Sequence, residues 1–180
     1  DLHPQVKVSE SLVNDIYDFV MSRLRAYYTD QGVTSEQFEA VRVCRPAHPI
    51  DFAMRIAAVR QFSQMESAES LSAANKRISN ILRKVDGDIA ETVNVELLTD
   101  GAEKDLWLAL DALREKVSPQ IAARDYVAAV SELASIKNFV DVFFDEVMVM
   151  ADDEAVKHNR LALLKQIYQL FLQVADISRL

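Results

Sequence analysis

The 180 residues carry 20 Lys and Arg against 28 Asp and Glu, a formal net charge of −8, and 50% of them are apolar. No run of about 18 uncharged apolar residues occurs, which excludes a membrane-spanning helix, and the lone Cys44 excludes a disulfide framework and gives the chain a cytoplasmic character. With only 3 Gly and 4 Pro, the composition favours long helices and short loops, and the length suits one domain.

The first eight residues, DLHPQVKV, have neither an initiator Met nor a hydrophobic signal core, so they read as a tail on a module cut from a longer chain. Apolar spacing predicts a first helix from about Ser9 to Tyr28. Its buried stripe is Leu12, Ile16, Phe19, Val20 and Leu24, with Ser9 or Ser11 as cap and Gly32 just past its end. A second helix starts at Thr34 or Ser35 and turns Phe38, Val41 and Val43 inward. The segment CRPAHP breaks it, because prolines cannot continue a helix and push the residue before them to extended geometry. Pro49 suits the first position of a third helix, to about Gln64, burying Phe52, Ile56, Val59 and Phe62. A fourth, from about Ala68 to Val85, gathers Leu71, Ala74, Ile78, Ile81, Leu82 and Val85 on one face. Residues 86–99 read as an acidic, glycine-punctuated loop with at most a turn or two of helix. A helix opening at Asp100 or Asp105 then runs through Lys116 on Leu106, Leu110, Leu113 and Val117, and Ser118-Pro119 ends it. A long helix from about Asp125 to Met150, bent near Ser135, and a last one from about Asp153 to Ala175, apolar on nearly all sides, complete the chain. The reading is an all-α helical bundle: helices over 9–85, a loop over 86–99 and helices over 100–180.

Charge is concentrated. Residues 42–84 hold 8 basic and 3 acidic side chains, and residues 85–156 hold 5 basic and 17 acidic. On the fourth helix Lys76, Asn80, Arg83 and Lys84, with Arg77 at the shoulder, lie opposite the apolar face, and no acid intervenes between Glu69 and Asp86. Solvated helix faces ordinarily mix signs at i±4, so this stripe points to phosphate or RNA, with an ordinary wet face as the alternative. Catalytic signals are missing. Three isolated glycines cannot cradle a phosphate, and His3, His48 and His158 lack zinc spacing. Cys44 reads as a small buried residue, and Asp152-Asp153-Glu154 as a helix cap and first turn. Glu154 and His158 share a helix without the matching pairs a bundle metal site needs. Arg55, near the apolar side of its helix, is either a structural partner of Asp51 or an Arg that Asp51 aims at a base or phosphate. Arg42, Arg45 and His48 flank the proline-stiffened turn, where an anion contact and a solvated loop fit equally. Asn75, at the core's edge, reads as a local hydrogen-bonding residue.

The succession RPAHPIDFAMRIAAVRQF, LSAANKRISNIL, NFVDVFFDEVMVMADDEAVKHNRLALLKQIYQLF and VADIS resembles the C-terminal region of the β subunit of bacterial glycyl-tRNA synthetases. That region is a helical anticodon-binding domain of the type also found in arginyl-tRNA synthetases, which lack ANKRISNIL. The likeness covers nearly the whole chain, most strongly from about Arg45 to Leu82 and from Asn138 to Ser178. The resemblance implies an assembly of two α and two β subunits in which ATP and Mg2+ serve glycine activation on the α subunit. This region, with no catalytic residue, metal or cofactor of its own, would hold the anticodon loop of glycine tRNA. Its partners would be that tRNA, the rest of the β subunit and the α subunit, with no role for DNA or membrane.

Glycine codons begin GG, so the anticodon ends in two cytosines, each offering acceptors at O2 and N3 and a donor at N4 to groups that reach an unpaired base. Candidates for reading them are Arg42, Arg45, Asp51, Arg55 and Asn80. Candidates for backbone phosphates are Arg60, Lys76, Arg77, Arg83, Lys84 and Arg160. The acidic residues 85–156 should face away from the RNA or toward other domains. The competing reading is a helical protein–protein module whose basic stripe docks an acidic partner. A salt-dependent gel shift separates the two.

Overall fold

A computed structural model describes residues 9–99 and 101–180, apart from the side chain of Glu10. The expected tail over 1–8 and a helix start at Asp100 lie outside the described residues. Eight α-helices form among the described residues, and no strand: α1 (Glu10–Asp30), α2 (Ser35–Arg42), α3 (Pro49–Phe62), α4 (Ala68–Arg83), α5 (Ala102–Ala122), α6 (Tyr126–Leu133), α7 (Lys137–Glu146) and α8 (Glu154–Leu172). Short 3-10 turns stand at Val95–Leu97, Ala134–Ile136 and Ile177–Arg179.

Local chemistry sets most boundaries. Ser9 accepts from the Leu12 amide at the start of α1, and Thr34 forms a capping box with Gln37 at the start of α2. Asp153 accepts from the amides of Ala155 and Val156 at the start of α8, so the acidic run there is a cap. Gly32, at φ +78°, supplies the left-handed turn after α1. α3 packs on α6, α6 on α5, and α4 on α8 and the C-terminal turn. Leu161, Leu163, Leu164 and Ile167 of α8 are fully buried, as expected for an apolar, central helix.

Three expectations change. The long helix breaks into α6, the 3-10 turn and α7, with the break at Ala134–Ile136, where the bend was expected. α5 continues past Pro119 to Ala122. The proline removes a donor only in the last turn, where the exposed Glu115 leaves its carbonyl within reach of water, and Ser118 Oγ donates to the Arg114 carbonyl at 2.7 Å. The third change concerns α1. Leu12, Ile16, Phe19 and Val20 are 38–56% exposed, and the neighbouring line of Met21 and Tyr28, with Tyr17 and Leu24 partly covered, packs inward instead.

The C-terminal end of the chain meets α2. The Asp176 amide donates to the Ala40 carbonyl of α2 at 2.8 Å. Ile177, 2% exposed, joins the core, and the C-terminal turn packs along α4. The helix that carries the basic stripe is therefore clamped by both α8 and the chain's end.

Candidate nucleic-acid interface

α4 is anchored by Leu71, Ala74, Asn75 and Ile78, all buried. Asn75 Nδ2 donates to the Leu71 carbonyl at 3.1 Å, the local bond expected of it. On the opposite side Lys76, Arg77, Asn80, Arg83 and Lys84 are all exposed. No acidic side chain pairs with any of the four cations among the described residues, and Lys76 and Lys84 have no polar partner there. Arg77 lies with its guanidinium carbon 4.0 Å from the centroid of the Phe144 ring. Such stacking fixes the planar group and leaves its N–H edges open to an acceptor. Arg83 donates to the Asn80 side-chain oxygen and, at 3.3 Å, to the Ser79 carbonyl, so the Asn80 amide nitrogen faces outward as a donor. Arg83 and Lys84 also sit at the C-terminal end of α4, where the helix dipole favours cations.

Two shallow depressions run along this face. One of about 440 Å³ is lined by Lys76, Arg77, Asn80 and Lys84 over Ala73 and Ile81. The other, of about 430 Å³, shares Ala73 and Lys76 with it and continues over Phe62, Ser72, Glu69 and Leu180. Apolar walls next to a cationic rim suit a ligand with a flat face and a charged backbone. Phe62, Ser72, Glu69, Leu180 and the supporting Phe144 have no signal in the sequence. Glu69 and Ser72 lie on the first turns of α4 itself, whereas Phe62, Phe144 and Leu180 come from α3, α7 and the chain's C-terminal end, and only the tertiary fold brings those three to α4.

The remaining candidates lie elsewhere. Arg55 donates from Nε to Asp51 at 2.9 Å, from one terminal nitrogen to the carbonyls of Gln173 and Val174 at 2.7 and 2.8 Å, and from the other to Tyr126 Oη at 3.1 Å. Tyr126 donates in turn to Asp51 at 2.6 Å. Arg55 and Asp51 are thus a structural clamp on the end of α8. Burial pushes the Asp51 carboxyl up, but the bonds from Tyr126 and Arg55 and the charges of Arg55 and Arg124 outweigh it and hold the group below its ordinary range. Arg160 donates to the buried Glu103, at 3.0 Å from its terminal nitrogen, and to the Met148 carbonyl, tying α8 to α5. Arg42 pairs with Glu39 and Asp18. Arg45, at φ +49°, donates to Asn14 at 2.7 Å and lies over the Tyr17 ring. Arg60 is exposed on α3 and lines neither depression. His48 is exposed and makes no cap bond, and burial pushes the Cys44 thiol up, away from reactivity.

The acidic half is not wholly turned away from the stripe. α7, with Asp141, Asp145 and Glu146, packs against α4 through Phe144. Asp141 is engaged by Lys137 and Ser70. No group of His, Cys, Asp and Glu among the described residues could hold a metal ion, and no helix there is long and apolar enough to cross a membrane.

Among the described residues the class is an all-α bundle in which a cationic face of α4 without acidic partners lies beside an apolar hollow. The chain belongs to the DALR anticodon-binding domain family, which matches residues 71–177. That stretch contains α4 from Leu71 onward with its whole stripe, and leaves out Glu69 as well as Arg42, Arg45, Asp51, Arg55 and Arg60. The chain is also similar to glycine–tRNA ligase beta subunits. It is 49% identical to that of Aeromonas hydrophila over 96% of this chain and 25% of the relative. For Marinobacter nauticus the identity is 47% over 97% and 25%, and for Shewanella woodyi 47% over 100% and 26%. The chain spans about a quarter of the length of the curated relatives it matches.

Proposed function

We propose that this chain holds the anticodon loop of glycine tRNA for a glycine–tRNA ligase, with the stripe on α4 as the contact surface. The observation that carries the reading is the run of cations from Lys76 to Lys84, inside the family's matched region and without acidic partners. Lys76, Arg77, Arg83 and Lys84 set the register by gripping backbone phosphates. The hollow over Phe62 and Leu180 takes a splayed-out base, and Asn80, Glu69 and Ser72 supply donors and acceptors to its edge. Glu69 can accept from a cytosine amino group, which uracil lacks. Arg55, Asp51 and Arg160 hold the helices in place instead of reading the RNA.

In this reading the chain works in the cytoplasm as part of a longer β subunit, assembled as two α and two β chains. ATP and Mg2+ act on the α subunit, and this region performs no chemical step. The test is binding of a glycine anticodon stem-loop and a cytosine-to-uracil variant over a salt series. Four phosphate contacts on unpaired RNA give a slope of about −3 in log K against log salt. Lys76→Ala and Lys84→Ala are expected to weaken both RNAs alike and to make the slope shallower by about 0.7 each. Glu69→Gln is expected to reduce discrimination between the two RNAs. Affinity that ignores both salt and anticodon would refute the proposal.

A further inference from the structure

α1 presents two adjacent apolar lines. One, through Tyr17, Met21, Leu24 and Tyr28, packs on the rest of the domain. The other consists of Leu12, Val13, Ile16, Phe19 and Val20, at 45%, 52%, 54%, 56% and 38% exposure. A helix with so wide an apolar arc is built for two neighbours, and the described residues supply one. The second line is a contiguous patch over about two and a half turns, with Arg23 laid across it 3.7 Å from the Phe19 ring centroid. Scattered apolar side chains on a surface need no explanation, but a contiguous stripe does.

Its size selects the occupant. Five half-exposed side chains offer on the order of 400 Å², about half of the ~800 Å² each partner contributes to a stable complex between free molecules. A second copy of the chain or a separate protein would hold it weakly. A tethered segment needs far less area, because linkage gives it an effective concentration of about millimolar. The relatives are about four times as long as this chain, so a tethered occupant is available. We infer that this stripe of α1 docks intramolecularly against an apolar face in the part of the subunit that lies outside this region, and so fixes the anticodon-binding domain relative to the remainder. The inference rests on the chain being part of such a subunit, and does not depend on RNA contact.

Amide hydrogen exchange tests it on the full-length polypeptide and on this 180-residue chain. Residues 12–20 are expected to exchange at least tenfold more slowly in the full-length polypeptide. Ile16→Asp combined with Phe19→Asp should return that rate to the short chain's, and the milder Val13→Ser should move it part of the way. All three substitutions lie on an exposed face and leave α4 untouched, so stem-loop binding by the short chain should be unchanged. Equal exchange in the two proteins overturns the inference whatever the RNA affinity. So does protection that arises only when the other subunit is added, or a micromolar dimer of the short chain that Ile16→Asp dissolves.

Discussion

Arg55 joins three elements through one planar group: its own helix at Asp51, the end of α8 at two carbonyls, and the start of α6 at Tyr126. Removing it strands a carboxylate that is 11% exposed and uncaps a helix end. Arg55→Ala should cost about 3 kcal/mol in urea unfolding, the range for breaking a buried pair, while RNA affinity below the transition stays unchanged. Acid acts on the same site. The folded Asp51 carboxyl titrates below its ordinary range, so its stabilising contribution is complete above about pH 4 and disappears as pH falls through the folded value. Asp51→Asn should lower stability at neutral pH and flatten the acid limb of the stability curve. The i, i+4 spacing of Asp51 and Arg55 is legible in the sequence. The choice between clamp and reader is not, because Tyr126 and the α8 carbonyls stand 71 to 119 residues away. Arg160 and Glu103, 57 residues apart, fail to announce themselves for the same reason.

At the scale of elements, α4 could be read in advance because both of its signals are local: apolar residues at helical spacing and cations on the opposite side. α1 could not, because its two apolar lines are equally periodic and periodicity does not say which one meets the core. The fate of the predicted long helix was half legible. Ser135 marks the break, while the 3-10 turn that separates α6 from α7 depends on how both pack against α5. The surface of α4 should then separate folding from binding. Lys76→Glu with Lys84→Glu touches no internal partner, so unfolding free energy should change by no more than about 0.5 kcal/mol per site, and stem-loop affinity should fall more than tenfold. Arg77→Ala forfeits its stacking on Phe144 and should cost about 0.5–1 kcal/mol of stability as well as affinity. If the double charge reversal leaves affinity intact, the RNA binds elsewhere.

Across the whole molecule, the working surface is assembled from opposite ends of the sequence. α4 comes from the first half, Phe144 from the acidic half, and Leu180 closes the hollow beside Lys76. The C-terminal turn is held by the Asp176 amide on Ala40 and by the buried Ile177, and it packs against α4. A net charge of −8 repels a polyanion at long range, so binding needs the α4 cations held rigidly in one register. Loosening the turn should therefore weaken binding without touching a single contact. Ile177→Ala creates a cavity against α4 and should cost about 2 kcal/mol or more in unfolding free energy. It should also lower stem-loop affinity at temperatures where the domain remains folded, with the salt slope retained because all four cations are still present. Hydrogen exchange over residues 74–82 should quicken in parallel. Lost stability with unaltered affinity would mean that the stripe keeps its register without the chain's end behind it.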